Sequence, residues 1–506
     1  MNLLSSTYIF SFFTLISRIL GYLRDILIAI FLGASIFADA FFVAFRLPNT
    51  FRRLFAEGTF NAAFVPSYVS ARSNNTSKKF ADEVLTLLTI ILFLIVLIVE
   101  IFTPYLVYII APGFLENTYK FNVAVEFTRI TFPFLLFVSI SSFFSGILNS
   151  NNKFAAAAAA PIILNIILIL SLLISFFYNL NFAIQLSYAV TLSGVIQLIF
   201  LIFFTKKYYK PSFKFKVKIS KKVKFFFNKL LPSILSSGVT QINILVGTII
   251  ASFESSAVSY LYYADRIYQI NLALAGIAVG TVSLPTLAKA FKKKDKNKIS
   301  NIQNKSLELS LLLSIPASLG LIFASEQIVN ALFGYGSFSE ENVAMTSKAL
   351  KYFGFGVPAF ALVKILSNFY FAKGDTKTPF YISFFIVILN VFISILFFKK
   401  YGFIIIPIAT SISTWIGIFL YAFLLTNKKI YLINNYLVRN ILIIFINSLV
   451  MAMFLIFGLE HFSNYLDYNY KYKSIYLLLI IVFVASIYLI SSYLTGLLKF
   501  KRFKTN

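Results

Sequence analysis

The chain has 506 residues, of which 59% are hydrophobic and only 12% charged, and its mean hydropathy is +0.85. A soluble domain is nearer a quarter charged, so this chain lacks the polar surface to cover a water-facing globule and reads as a polytopic membrane protein. The net charge is +27, with one histidine and no cysteine, which excludes disulfides, thiolate metal sites and cysteine nucleophiles and leaves His461 without an imidazole partner.

A spanning helix needs about 20 mostly apolar residues. That ruler gives roughly fourteen candidates, near 6–31, 36–66, 84–110, 123–149, 155–178, 183–205, 226–252, 256–288, 306–332, 345–371, 379–398, 403–426, 437–459 and 474–498. The first two are the least apolar because they carry several charges. The N-terminus MNLLSSTYIF lacks a basic region and an A-x-A site, so the first span is expected to stay in the protein. Gly21 and Gly33 bracket it, as a hinge or as points of close helix packing. Prolines such as Pro133, Pro161, Pro285, Pro316 and Pro358 fall within or beside other spans.

Charge in the connections sets the expected topology. The even-numbered ones hold Arg72, Lys78 and Lys79, then Lys153, the lysine-rich run between Lys206 and Lys224, and Lys289 to Lys298; the tail adds Lys499 to Lys504. The odd-numbered ones carry Glu116, Glu254, Glu340, Glu341, Glu460 and Asp467, with Lys399, Lys400, Lys471 and Lys473 as exceptions. Basic residues favour the cytoplasm, so both termini are expected there. The charge thus reports topology, and no nucleic-acid partner is expected. The patch KKKDKNK (292–298) also suits acidic lipid head groups.

The basic connection 206–224 divides the chain into an N-terminal lobe (1–205) and a C-terminal lobe (225–426), followed by 427–506 with two further spans and a tail. Across it runs a weak repeat at an offset of 220 residues: FADAFFVAFRLPNTF (37–51) lines up with AVSYLYYADRIYQIN (257–271), matching Arg46 to Arg266. Parallel halves of this kind are a common transporter plan.

Only ten of the 45 basic residues are arginine, and five of these lie between 18 and 53: Arg18, Arg24, Arg46, Arg52 and Arg53. A permanently charged planar fork suits phosphate and carboxylate. Charges inside spans are costly and usually face a bundle interior or a wet cavity, which assigns Arg18, Arg24 and Arg266 to a cavity. Arg53 and Arg72 read as interfacial. On an ideal helix Asp39, Arg46, Arg53 and Glu57 share a face. Pro48 is expected to interrupt that helix, leaving open whether Arg52 or Arg53 faces as Arg46 does. No Walker-type loop occurs.

The N-terminal third resembles the MurJ (MviN) family of lipid II flippases. The resemblance rests on SRILGYLRDILIAIFLGA (17–34), DAFFVAFRLPN (39–49) and RRLFAEGTFNAAFVPSY (52–68), with further matches at LYYADRIYQI (261–270), VGTVSLPTL (279–287) and FYFAKGDTKTP (369–379). It implies the fold of the multidrug/oligosaccharidyl-lipid/polysaccharide exporter superfamily: an all-α protein with two six-helix lobes around a cationic cavity and two extra C-terminal helices. It implies that Arg18, Arg24, Arg52 and Arg266 are required, with Asp39 and Asp265 as acidic partners. Asp25, Arg46 and Glu57 join these as candidate ion-pair or gating residues. Asp265 is expected to pair with an arginine on another span, Arg24 being the candidate, because adjacent helical side chains diverge by about 100°.

The implied activity moves undecaprenyl-diphosphate-linked peptidoglycan precursor from the cytoplasmic to the outer leaflet of the bacterial inner membrane by alternating access, as a monomer, without cofactor or covalent step. Membrane potential is the expected driving force. A sodium site like that of some members is not expected, because spans 226–252 and 379–398 contain no Asp or Glu. A flippase for another undecaprenyl-linked glycan, such as an O-antigen or capsule unit, is the alternative. A drug exporter would need an acidic cavity, and a glycosyltransferase would need acidic residues on sizeable outer loops.

Overall fold

The computed structural model describes residues 3–56, 59–73, 76–212, 219–431 and 434–498; Glu57 and Lys214, Lys216 and Lys218 lie outside them. The described residues are helical almost throughout and divide into two compact units, Met1–Ser259 and Tyr260–Asn506.

The first unit holds α1 (Leu3–Leu32), α2 (Ile36–Ala56), α3 (Thr59–Ser73), α4 (Ser77–Ile101), α5 (Thr103–Ile110), α6 (Thr118–Thr131), α7 (Phe134–Ser150), α8 (Phe154–Phe177), α9 (Phe182–Thr205), α10 (Lys221–Ala251) and the start of α11 (Ala257–Leu272). Its core is aromatic. Phe226 of α10 meets Phe60, Phe64 and Phe80 edge-on at ring-centroid distances of 5.6 to 6.1 Å, which ties the seventh span to this unit. Edge-to-face contacts are the favoured geometry for such rings.

The second unit continues α11 through a π-turn at Ala273–Ala278 into α12 (Val279–Lys292). Then come α13 (Lys296–Phe323), α14 (Ser325–Phe333), α15 (Glu340–Phe371), α16 (Lys377–Tyr401), α17 (Ile405–Asn427), α18 (Asn435–His461) and α19 (Lys473–Leu494). Grouping the broken pieces gives about fourteen membrane-length segments among the described residues. Ten stretches qualify by length and hydropathy, the longest, Lys377–Asn427, holding two helices. On α4 the side chains Leu94, Leu97, Ile98 and Ile101 stand exposed, a stripe tolerable only against lipid. The chain is a multi-pass membrane protein.

Two sequence expectations about helix continuity are corrected or refined. α2 runs unbroken through Pro48. The missing proline N–H orphans the Ala44 carbonyl, whose oxygen lies 3.2 Å from the Thr131 hydroxyl of α6, a hydroxyl that is nearer its own Phe127 carbonyl at 2.9 Å. The seven-residue register therefore carries Arg53 onto the Arg46 face. Gly33 ends α1 at φ +62°, whereas Gly21 lies within the helix, against Asn165 of α8, so it serves packing.

Within each unit, hydrogen bonds sort the connections by end. In the first unit Arg72 donates to Asn151 (3.0 Å), Lys222 to Thr76 (2.9 Å), and the Tyr209 hydroxyl to Asp82 (2.5 Å); these join the second, fourth and sixth connections. Burial and the Asp82 charge push the Tyr209 pKa far up. In the second unit Lys428 reaches Asp375 (3.7 Å), and Gln303 donates to the Ile430 carbonyl (3.2 Å), joining the eighth, tenth and twelfth. The alternation read from charge is thus matched by which ends touch.

Lys473, an exception to the charge pattern, is buried. Its ammonium donates to Asn330 Oδ1 (2.8 Å), the Gly334 carbonyl (2.6 Å) and the Tyr468 carbonyl (2.6 Å), between the rings of Tyr335 and Tyr468. It closes the C-terminal end of α14, where the helix leaves unpaired carbonyls and partial negative charge. Lys473→Met would strand three acceptors. The expected cost is about 3–5 kcal/mol, read as a lowered thermal-unfolding midpoint in detergent, whereas exposed Lys471→Ala should change stability by less than about 0.5 kcal/mol.

Candidate functional site

The predicted residues fall into four local groups. In the first, on α1, Arg24 Nε and Nη2 both donate to Asp25 Oδ1, at 3.0 and 2.6 Å, and Nη1 donates to Asn165 Oδ1 of α8 at 2.9 Å. Asn165 is itself fixed by donating to the Ser17 carbonyl at 2.8 Å. Arg24 and Asp25 are both buried. Arg24 thus pairs with its own neighbour on the helix, Asp25. A long arginine stem curls back across 100° of helix, and burial rewards the charge-assisted fork it makes there. Arg18, one and a half turns earlier, is exposed.

The second group centres on Asp39, which is fully buried. Its Oδ2 accepts from Lys120 of α6 at 2.6 Å, and its Oδ1 accepts from the Ser259 amide at 2.8 Å and hydroxyl at 2.5 Å. The expectation that Asp39 orients an arginine is therefore corrected: it holds a lysine and the first turn of α11. Lys120 also stands 4.1 Å above the Phe114 ring. Nearby, the Gly113 amide donates to Ser252 Oγ at 3.0 Å, and a Cβ on Gly113 would lie 2.4 Å from the Phe253 backbone. Only glycine permits that approach.

The third group is on α2, where Arg52 donates to Asn49 Oδ1 at 3.0 Å and, like Arg46 and Arg53, is half-buried. The fourth is on α11. There Arg266 donates to the Tyr262 hydroxyl at 3.0 Å and lies 4.6 Å over that ring, while Asp265 accepts from Gln269. Both charged residues are half-buried, about two turns before the π-turn. Such turns are frequent at functional sites.

Sequence reasoning missed Lys120 and Asn165. Lys120 did carry a signal: it is a lysine beside an otherwise acidic connection, where water-facing charge has no reason to be positive. Asn165 lies in an apolar run of α8, and an amide there needs a partner in place of water. Among the described residues no three carboxylate or imidazole groups come together as a metal site.

This multi-pass chain, helical almost throughout its described residues, pairs buried charges at Arg24–Asp25 and Lys120–Asp39. Its fold matches an inward-facing multidrug resistance MATE family transporter of the MOP superfamily at a TM-score of 0.66, covering 82% of this chain and 94% of that one at 14% identity. A solved "Lipid II flippase MurJ, inward closed conformation" matches at a TM-score of 0.82 and 29% identity, covering 96% and 98%. The sequence model described as "Lipid II flippase MurJ" matches residues 28–493. A "Probable lipid II flippase MurJ" of Rickettsia prowazekii (strain Madrid E) is 36% identical over 476 residues, 92% of this chain and 93% of the relative. The "Lipid II flippase MurJ" of Burkholderia cenocepacia is 34% identical over 387 residues, 75% of each. The chain belongs to the MurJ lipid II flippase family.

Removing one member of a buried ion pair costs about 3–5 kcal/mol, because the other charge is left uncompensated. Lys120→Met and Asp39→Asn are each expected to lower the unfolding midpoint by that measure. The double variant should recover part of the loss; strictly additive losses in a thermal-unfolding cycle would contradict direct coupling of the pair.

Proposed function

We propose that this chain flips lipid II, carrying its diphosphate-linked head group from the cytoplasmic to the outer leaflet for peptidoglycan synthesis. The observation that carries this reading is the family match across 28–493, on a chain that keeps Arg24 and Arg266 inside its spans. The head group bears a diphosphate and peptide carboxylates, and guanidinium forks match both. Arg18, Arg24, Arg52 and Arg266 bind it, and Asp25 and Asp265, with Arg46 and Glu57, govern the arginines and the gates, while Asp39 holds Lys120 and the first turn of α11. In the structure's geometry Asp25 neutralises Arg24, so head-group phosphate takes over a fork that a carboxylate holds in its absence.

The termini and the lysine-rich even-numbered connections lie in the cytoplasm. An anionic head group then moves outward down the membrane potential, which supplies roughly 2.3 kcal/mol per charge per 100 mV. The chain works as a monomer in the bacterial inner membrane, with no covalent step, cofactor or sodium site. Movement of the lobes around the arginines suffices.

Two experiments test this. In cells depleted of their own lipid II flippase, the chain should restore wall synthesis. Arg24→Ala and Arg266→Ala should each abolish rescue at unchanged protein level, while Arg24→Lys lowers transport on the order of tenfold, the factor for about 1.4 kcal/mol of lost forked bonding. Full rescue by the double alanine variant would end the arginine assignment. For orientation, Lys294→Cys should resist an impermeant thiol reagent in intact cells and Asn464→Cys should react; the reverse pattern would invert the topology.

A further inference from the structure

α11 and α12 form one continuous helical span, Ala257–Lys292, interrupted only by the π-turn at Ala273–Ala278. A π-turn closes its hydrogen bonds from i to i+5 in place of i+4, so it takes up one residue more than the α-helix on either side. Both sides of the turn pack on the same neighbour, α15. Before it, the buried Tyr268 ring lies 5.3 Å from Phe353, stacked, and 5.3 Å from Phe360, edge-on. Within it, a Cβ on Gly276 would lie 3.2 Å from Ala361 Cα. After it, the Gly280 carbonyl accepts from Asn368 Nδ2 at 2.8 Å, and a Cβ on Gly280 would lie 3.1 Å from that nitrogen.

Tyr268 and Gly280 therefore point the same way, although they are twelve residues apart. At about 100° per residue a regular α-helix would set them about 120° apart; one residue taken up by the turn cuts this to about 20°. The same count fixes Arg266, fourteen residues before Gly280. In a regular helix it would stand about 40° from the Gly280 direction, against α15, whereas the extra residue moves it to about 140°, on the far side. Its place two residues before Tyr268 gives about 160° from the α15 side by a separate route. Burial agrees: Ile267 and Tyr268 are 4% and 5% exposed, while Arg266 is half-buried.

We propose that the π-turn is the positioning element for Arg266: its extra residue holds the guanidinium on the side of α11 away from α15, where a diphosphate or carboxylate can reach it. That the anion is a lipid II head group rests on the flippase reading; the aim of the side chain does not. The turn residues act through register and touch no ligand. Relieving the turn at the present length would swing Arg266 onto the aromatic surface of Phe353 and Phe360 and expel Tyr268 from it. A guanidinium against that surface is costly inside a span, and this cost keeps an otherwise rare turn in place.

The chain has no cysteine, so Arg266→Cys gives a single thiol whose labelling by a water-soluble maleimide, in the purified full chain, reports its direction. Four lengths are compared: intact, Leu274 deleted, one alanine inserted after Asn271, and both changes together. Leu274 is 60% exposed, so its deletion removes little packing. The deletion leaves a regular α-helix with position 266 on the same side, and the thiol should label as in the intact chain. The insertion turns position 266 by about 100° toward α15 and should slow labelling about tenfold through lost access; the combined variant should restore it. With Arg266 kept, affinity for lipid II should follow the same order, the insertion being about tenfold weaker. Each comparison is made on variants whose unfolding midpoint shows that they are folded. If the insertion does not fold, the deletion decides, at Leu274 or at the exposed Ile277. Slowed labelling in a folded deletion variant, unchanged labelling in a folded insertion variant, or failure of both deletions to fold would overturn the proposal. Labelling in the expected order with no lipid II affinity at any length would support the aim and end the flippase reading.

Discussion

A charge held inside an apolar helix bundle must find a protein partner in place of water, and that requirement organises this molecule. Transfer of an ion out of water costs several kcal/mol even after relaxation. Arg24, Lys120 and Lys473 each meet the requirement by reaching to another element: Arg24 to Asn165 on α8, Lys120 to Asp39 on α2, and Lys473 to Asn330 and Gly334 at the end of α14. These contacts fix helix to helix. Arg52 with Asn49 and Arg266 with Tyr262 also bond within their own helices.

Much of this was legible in the sequence because membrane physics is severe. Apolar runs of about 20 residues and lysine-rich connections had to mark spans and ends, and the clustering of arginine between Arg18 and Arg53 had to mean something beyond solubility. What was not legible is pairing. Helical periodicity gives the direction of a Cβ, not where a flexible stem of several bonds places its charged end. It therefore could not reveal the pair of Arg24 with Asp25, which the structure forms at 2.6 Å. Pro48 also misled, since α2 runs through it without a break.

The exceptions to the charge bias carried more information than the rule. Lys120 and Lys473 sit on the acidic side, and both are buried with oxygen partners. Lys399, Lys400 and Lys471 share that side and are exposed. Topological bias acts on charges that must stay in water. A lysine neutralised inside the fold escapes it, so a misplaced lysine is a candidate for an internal pair.

The repeat gives the Asp39 cluster its logic. Asp39 and Ser259 are 220 residues apart, the same offset that aligns Arg46 with Arg266, and they bond directly. Asp39 lies in the first turn of α2, and Ser259 lies in the first turn of α11, where amides have no partner within the helix. One carboxylate therefore sits against the positive ends of two helices and one ammonium, which is why a full negative charge is tolerable at complete burial. The second copy carries serine instead, which donates where its counterpart accepts. The bond between these two helix starts depends on that difference.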